Sequence, residues 1–357
     1  MNLELTDEQA ALRDTVRRYL AEKASLATYV RPLLDNAASG ADEVWRGLAA
    51  MGATGLLVPE SCDGAGMTMV EAGVVAEELG AALYPGPWLS TTVAATRALV
   101  RTGADKNAAG LLSGIAEGSA IATVGPLAGP RPTAIDGATL RGTVTGVPDA
   151  DCADVVLVFA AESDGVGLYS VDTSSVGAAM LPCPHVDPTR TLTNLELDDV
   201  PAQRLGSATE QAISAVVDDV VIAYAADALG AATAVMNLAI EYAKVRKQFE
   251  QPIGSFQAVQ HLCVDMYEAT ELARSGVIHA LWAADAAEPA EHHLAALRAK
   301  AFAGRLTKVG DTAIQVFGGI GFTWEHDAHL YLKRLLGWSG FLGSPDRYLE
   351  EVGRGLR

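Results

Sequence analysis

Arginine and lysine side by side, with amides and a phenylalanine close behind, mark Tyr242–Gln257 (YAKVRKQFEQPIGSFQ) as the stretch richest in potential chemistry. A nearly all-apolar run precedes it, and Pro252-Ile253-Gly254 turns the chain into a second helical segment starting near Phe256. The spacing predicts Arg246 and Lys247 in the last turn of a helix. Cations there stabilise the helix dipole by roughly 0.3–1 kcal/mol. An arginine fork beside amides and a ring would also suit a ligand that carries phosphate and a planar ring. A second stretch, QVFGGIGF from Gln315 to Phe322, adds what such a ligand needs. Paired glycines let backbone come close, and free N–H groups satisfy phosphate or amide oxygens.

Other candidates are thinner. The glycine-rich segment from Gly52 to Gly66 follows a helical pattern and contains Pro59, so it reads as a turn between helices, without the context of a phosphate loop. Cys62, Cys152, Cys183 and Cys263 are far apart and form no Cys-x-x-Cys pair. That argues against a zinc site or a disulfide framework and fits a reducing cytoplasm, the expected location. Asp218, Asp219 and Asp227 break the apolar run from Ile213 to Met236, which therefore does not read as a membrane span. Asp218 and Asp219 read as solvated charges on a helix surface. Glu325 and His326 form a tempting acid/base pair, but beside the paired glycines they suit a structural or interfacial role. The net charge of −18 and pI near 4.7 argue against nucleic acid or anionic membrane as partners. The acidic, amphipathic MNLELTDEQAALRD lacks the pattern of a secretory leader.

The elements that must position these residues fall into three blocks over 357 residues. Residues 1–117 read as helical: Thr6 and Gln9 form a capping box ahead of Leu12, Val16 and Leu20, and Val70–Leu83 is a further amphipathic helix. Residues 118–206 hold short β-branched runs separated by Pro, Gly and Asp, the pattern of a small antiparallel sheet or barrel. Residues 207–357 are helical again. Ser207 and Glu210 read as a capping box opening a helix to about Lys247; a second covers roughly 256–285, and a third runs from Pro289 to Gly318-Gly319. With a terminal helix these make an antiparallel four-helix bundle. The fold class is α+β, mainly α.

YAKVRKQF…IGSFQ and QVFGGIGF, with VPE, GAGM and VAEELG in the first block, resemble the acyl-CoA dehydrogenase family over essentially the whole chain. The resemblance implies FAD as cofactor and an acyl-CoA thioester as substrate. It assigns Arg246 to the flavin pyrophosphate, has Gln248, Phe249 and Gln257 line the dinucleotide, and puts Gln315, Gly318 and Gly319 against its adenosine half. In the family these residues reach a flavin seated mainly on a neighbouring subunit.

What would serve the chain's own flavin is degraded. The family's Thr-Glu-Pro-x-Ala-Gly-Ser loop corresponds to Val124-Gly125-Pro126-Leu127-Ala128-Gly129-Pro130, and the tryptophan strand after it corresponds to Arg141–Asp151, which has no aromatic. The catalytic Tyr-Glu-Gly-Thr tetrad falls on Phe341-Leu342-Gly343-Ser344, so Leu342 occupies the base position. Leucine cannot accept a proton. The other home of a family glutamate corresponds to Val220, with Val221 beside it. Asp219, one position out of phase and turned about 100° around the helix, is the remaining substitute. The resemblance thus implies no catalytic residue here, no metal, and a paralogous partner in an α2β2 assembly. GFTWEHDAHLYLKR resembles subunits of actinobacterial enzymes that dehydrogenate steroid side-chain CoA thioesters. A self-sufficient homotetrameric dehydrogenase, a flavin monooxygenase or oxidase, and a purely structural binding subunit are the alternatives.

Overall fold

The computed structural model describes residues 4–34, 40–175 and 178–355, so the extreme termini of the first and third blocks lie outside the described residues. Thr6 opens α1 (Asp7–Lys23) through the expected capping box, its hydroxyl accepting from Gln9 N–H while the Gln9 side chain accepts from Thr6 N–H. The block continues through α2 (Arg31–Leu33), α3 (Glu43–Ala50), α4 (Met69–Ala81), α5 (Thr96–Arg101) and α6 (Ala109–Glu117). Strands β1 (Ala122–Gly125), β2 (Thr133–Ile135), β3 (Thr139–Pro148), β4 (Val155–Glu162), β5 (Gly165–Asp172), β6 (Ala178–Pro182), β7 (Leu192–Pro201) and β8 (Gln203–Ser207) follow. The sheet runs β6-β7-β3-β2-β4-β5-β8, with β1 paired to β4. Pairing is antiparallel except that β1 and β2 run parallel to β4, and among the described residues the path ends at β6 and β8 without closing a barrel.

The third block comprises α7 (Glu210–Val245), a hairpin of β9 (Lys247–Gln248) and β10 (Gln251–Pro252), α8 (Gln257–Ala286), α9 (Pro289–Ala303), α10 (Thr307–Phe317), α11 (Ala328–Gly340) and α12 (Pro345–Gly355). Three sequence expectations are corrected here. β8 pairs through Ser207, so Thr209 caps α7 in its place, accepting from Ala212 N–H. The long third helix tightens into a 3₁₀ turn at Gly304–Leu306, where a Cβ on Gly304 would lie 2.3 Å from Pro345. Helix α7 ends at Val245, leaving Arg246 and Lys247 just beyond its last turn.

Helix α7 is the spine of the molecule. From Asp218 to Ala232 every residue is buried, because α4 crosses it on one side and α8 to α11 pack around the rest. The crossing is close: a Cβ on Gly230 would sit 1.8 Å from Glu77 O, and one on Gly80 would sit 1.9 Å from Asp227 O. Only glycine allows that approach. Among the described residues no helix is long and apolar enough to cross a membrane.

Candidate functional site

Two stretches far apart in sequence meet at the C-terminal end of α7. The Tyr242 ring packs against Phe317 with centroids 5.0 Å apart, and Phe317 in turn lies 4.1 Å from His326. That apolar seam brings the Arg246 hairpin and the Gly318-Gly319 turn to one end of the bundle. Arg246 has left the helix (ψ 126°), but its N–H still bonds Tyr242 O, and its carbonyl accepts from Ile253 N–H to close the hairpin. Phe249 and Glu250 form the hairpin tip, both in the left-handed region. Phe249 is 86 % exposed, edge-on to Phe256 at 6.0 Å. Gln248 is exposed on β9, and Gln257 is exposed as the first residue of α8.

Gln315 is exposed on α10, and Gly318 (φ 66°) ends that helix. A Cβ built on Gly318 or Gly319 would meet nothing within 4 Å, so backbone faces open space. Among the described residues the Arg246 side chain has no ion pair, although the protein carries a net charge of −18. An exposed, unspent guanidinium with open backbone and an exposed ring at the same end of the bundle fits a phosphate-bearing dinucleotide. Val245, Phe322 and Trp324 surround this area as exposed apolar groups, with Trp324 62 % exposed. Glu325 is exposed, whereas His326 accepts from Ala328 N–H at the start of α11 and stacks on Phe317. Burial lowers the His326 pKa, so it serves as neutral packing.

The position expected for a base is different in kind. Leu342 is half-buried in the turn between α11 and α12, with φ 57°, and its carbonyl accepts from the Tyr348 hydroxyl. Phe341 stacks on Tyr224 of α7, centroids 4.5 Å apart and planes 21° from parallel. Val220 and Val221 are buried apolar groups. Asp219 is no solvated surface charge. It is fully buried, gripped by Arg101 through two bonds of 2.9 and 3.0 Å, with His292 Nε2 at 3.1 Å and Arg97 Nε at 3.6 Å. Burial alone would raise its pKa, but Arg97, the His292 contact and Arg101 together hold it below the ordinary carboxylate value. A carboxylate so committed is an ion-pair brace and a weak base. Asp218 is likewise buried, paired with His293 Nδ1 at 2.9 Å.

Sequence reasoning missed a lattice of buried charges that fills the space beside Phe341. Ser90 Oγ donates to Asp149 Oδ2 at 2.6 Å, and Arg190 Nη2 donates to Asp227 Oδ2 at 2.8 Å. Arg334 Nη2 donates to Tyr84 O, and its other nitrogens lie 3.3 Å from Asp187 and 3.6 Å from Asp227. The lattice joins all three blocks of the chain. Burial raises Asp149 to about 6 against the pull of Arg190 and the Ser90 hydroxyl. Burial and neighbouring Arg190 lower the pKa of Arg334. What remains open is a void of about 40 Å3 lined by Arg190, Tyr224, Arg334, Trp338 and Phe341. That is room for about one water, whereas ligand clefts hold about 300–1,000 Å3. The Gly125-Pro126 corner is equally tight: a Cβ on Gly125 would lie 2.8 Å from Val147. Neither the void beside Phe341 nor the Gly125-Pro126 corner leaves room for a planar ring. One signal could have revealed the lattice: Asp227 and Arg334 each interrupt an otherwise apolar helix face.

The comparisons agree with this architecture. Residues 6–119 match the model of the acyl-CoA dehydrogenase N-terminal domain, and residues 216–356 match that of the C-terminal domain. Acyl-CoA dehydrogenase FadE34 of Mycobacterium tuberculosis is 36% identical over 98% of this chain, which spans only 48% of that protein's length. Acyl-CoA dehydrogenase IpdE2 of the same organism is 34% identical over 97% of this chain and 96% of its own. Among solved structures, the Tcur3481-Tcur3483 steroid ACAD superposes with a TM-score of 0.88 at 31% identity, covering 98% of both chains. The ChsE4-ChsE5 complex from Mycobacterium tuberculosis gives 0.91 at 26%, covering 100% of this chain and 99% of that one. The chain belongs to the acyl-CoA dehydrogenase family, whose cofactor is FAD.

Proposed function

We propose that this chain is the base-lacking subunit of a hetero-oligomeric acyl-CoA dehydrogenase, arranged as α2β2 with a paralogous partner that supplies the catalytic glutamate and the main flavin seat. One observation carries the reading. Next to Leu342, which stands at the expected base position, Phe341 and the ion lattice leave a void of only about 40 Å3, which supports a cleft that does not take a thioester. The outward-facing residues at the other end stay open and unspent. A relative about twice as long as this chain leaves room for a second module of the same size, which supports the pairing of two modules.

When bound, FAD supplies the acceptor for the hydride leaving the β-carbon of the thioester. Arg246 would give its fork to the pyrophosphate oxygens, and the N–H groups around Gly318 and Gly319 would meet the adenosine half. Gln248, Phe249, Gln257 and Gln315 would line the dinucleotide and keep water from it. The similarity to a steroid ACAD supports a steroid side-chain CoA thioester as substrate. The grip of Arg97, Arg101 and His292 on Asp219 disfavours a self-sufficient enzyme that uses Asp219 as base.

Co-expression tests this. The chain purified alone should be colourless, and the chain purified with its paralogous partner should carry the flavin band near about 450 nm. A partner complex that assembles without flavin would remove the dinucleotide role.

A further inference from the structure

Lys300 is fully buried, yet it makes no ion pair among the described residues. It rises from the last turn of α9, and its ammonium donates to Trp338 O at 2.5 Å and Phe341 O at 2.8 Å. The Trp338 ring lies 3.6 Å below the same nitrogen, and the Tyr348 ring lies 6.0 Å away. Trp338 and Phe341 bracket the end of α11, where carbonyls no longer receive i+4 amides; apart from Lys300, Trp338 O has among the described residues only a 3.2 Å bond from the Phe341 N–H. Burying an ammonium is costly unless hydrogen bonds offset the lost hydration, and the groups that supply those bonds are held by it in turn. Burial pushes it down to about 7, while the carbonyls and the ring face favour the charged form.

What depends on it is the turn from Phe341 to Ser344. Leu342 and Gly343 follow one another with φ of 57° and 117°, a conformation with little intrinsic preference for a leucine. Phe341 lines the void and stacks on Tyr224, which also lines it. We propose that Lys300 is the latch of this turn, a positioning residue that, through the carbonyls of Trp338 and Phe341, keeps Phe341 in place as the plug of the chain's own cleft. The proposal rests on the reading that this space is where thioester and flavin ring would otherwise lie. A methionine at 300 would fill the same volume, leave Phe341 O without the ammonium and leave Trp338 O with only the Phe341 N–H at 3.2 Å. The latch acts on backbone, so it is independent of the Phe341 ring.

Hydrogen exchange read by mass spectrometry on the full chain in complex with its partner tests this. In Lys300→Met, protection of amides 341–344 should fall about tenfold to hundredfold, with α4 and α7 unchanged. Lys300→Gln, which keeps one hydrogen bond within reach, should fall between wild type and Lys300→Met. Phe341→Ala should retain protection at 343–344, because the tethered carbonyl remains. An unchanged turn in Lys300→Met overturns the latch. So does a fall spread evenly over α7 and α11, or the failure of both Lys300 variants to fold, since each makes Lys300 a general core residue. The flavin content of the complex is not the readout, so the latch and the functional reading can fail separately.

Discussion

Replacing Arg246 with alanine in the assembled complex separates a ligand-binding cation from a helix-end cation. Within the chain the side chain has no ion pair among the described residues, and the bond from its N–H to Tyr242 O belongs to the backbone and survives. The cost to the chain's own stability is therefore limited to the dipole contribution, at most about 1 kcal/mol. Toward a pyrophosphate the loss is larger. Truncating a buried, hydrogen-bonded charge costs about 2–5 kcal/mol, and an exposed site covered only on assembly belongs in the lower part of that range. About 2–3 kcal/mol corresponds to roughly 30- to 150-fold weaker flavin retention. The net charge of −18 sharpens the effect, because no background field favours a dianion. Arg246→Lys should be intermediate, keeping the charge without the fork. The assay is dialysis of the complex against flavin-free buffer, with residual flavin read by absorbance and assembly checked by size-exclusion chromatography. An assembled Arg246→Ala complex with full flavin occupancy and rate would refute the reasoning.

Three further outcomes are expected. Asp219→Ala leaves Arg97, Arg101 and His292 around an empty pocket and should cost about 3–5 kcal/mol in urea unfolding; a loss below about 1 kcal/mol would contradict the buried brace. Leu342→Glu should give no dehydrogenation by the isolated chain, since a base contributes only to a substrate already poised and the adjoining void is about 40 Å3; acyl-CoA turnover by that variant would show that the cleft opens. The Asp218 hydrogen bond raises the His293 pKa above 6.5 while burial opposes it, so its stabilisation is fully present below about 6.5 and is lost as pH rises through the folded value. The stability gap between wild type and His293→Gln, about 1 kcal/mol or less because the histidine is partly exposed, should therefore shrink from acidic to alkaline pH; a gap that widens would reverse the assignment.

The helical blocks were legible because caps and apolar periodicity are local signals. Thr6 and Gln9 announce α1, and the Pro252-Gly254 turn announces α8. Residues at the open end of α7 were legible for a related reason: Arg246 and the paired glycines stand out by residue type. Boundaries were less legible. The sequence could not show that β8 would claim Ser207, or that Arg246 would turn extended to close a hairpin. Least legible was the buried lattice. Ser90, Asp149, Asp187, Arg190, Asp227 and Arg334 come from three blocks and acquire meaning only when the fold brings them together. Asp219 shows the same limit, since periodicity put it on a helix surface and could not see Arg97 and Arg101 arriving from α5.

The division of labour between two subunits is the central claim, and anaerobic flavin reduction tests it most directly. A steroid side-chain acyl-CoA is mixed with the chain in excess FAD, with the partner complex, and with a complex whose partner has its tetrad glutamate changed to glutamine. The flavin band near about 450 nm should bleach in the complex alone. It should persist with the isolated chain, which has Leu342 where a base would stand, and with the partner variant. Bleaching by the isolated chain, or undiminished bleaching when the partner's glutamate is gone, would contradict the account.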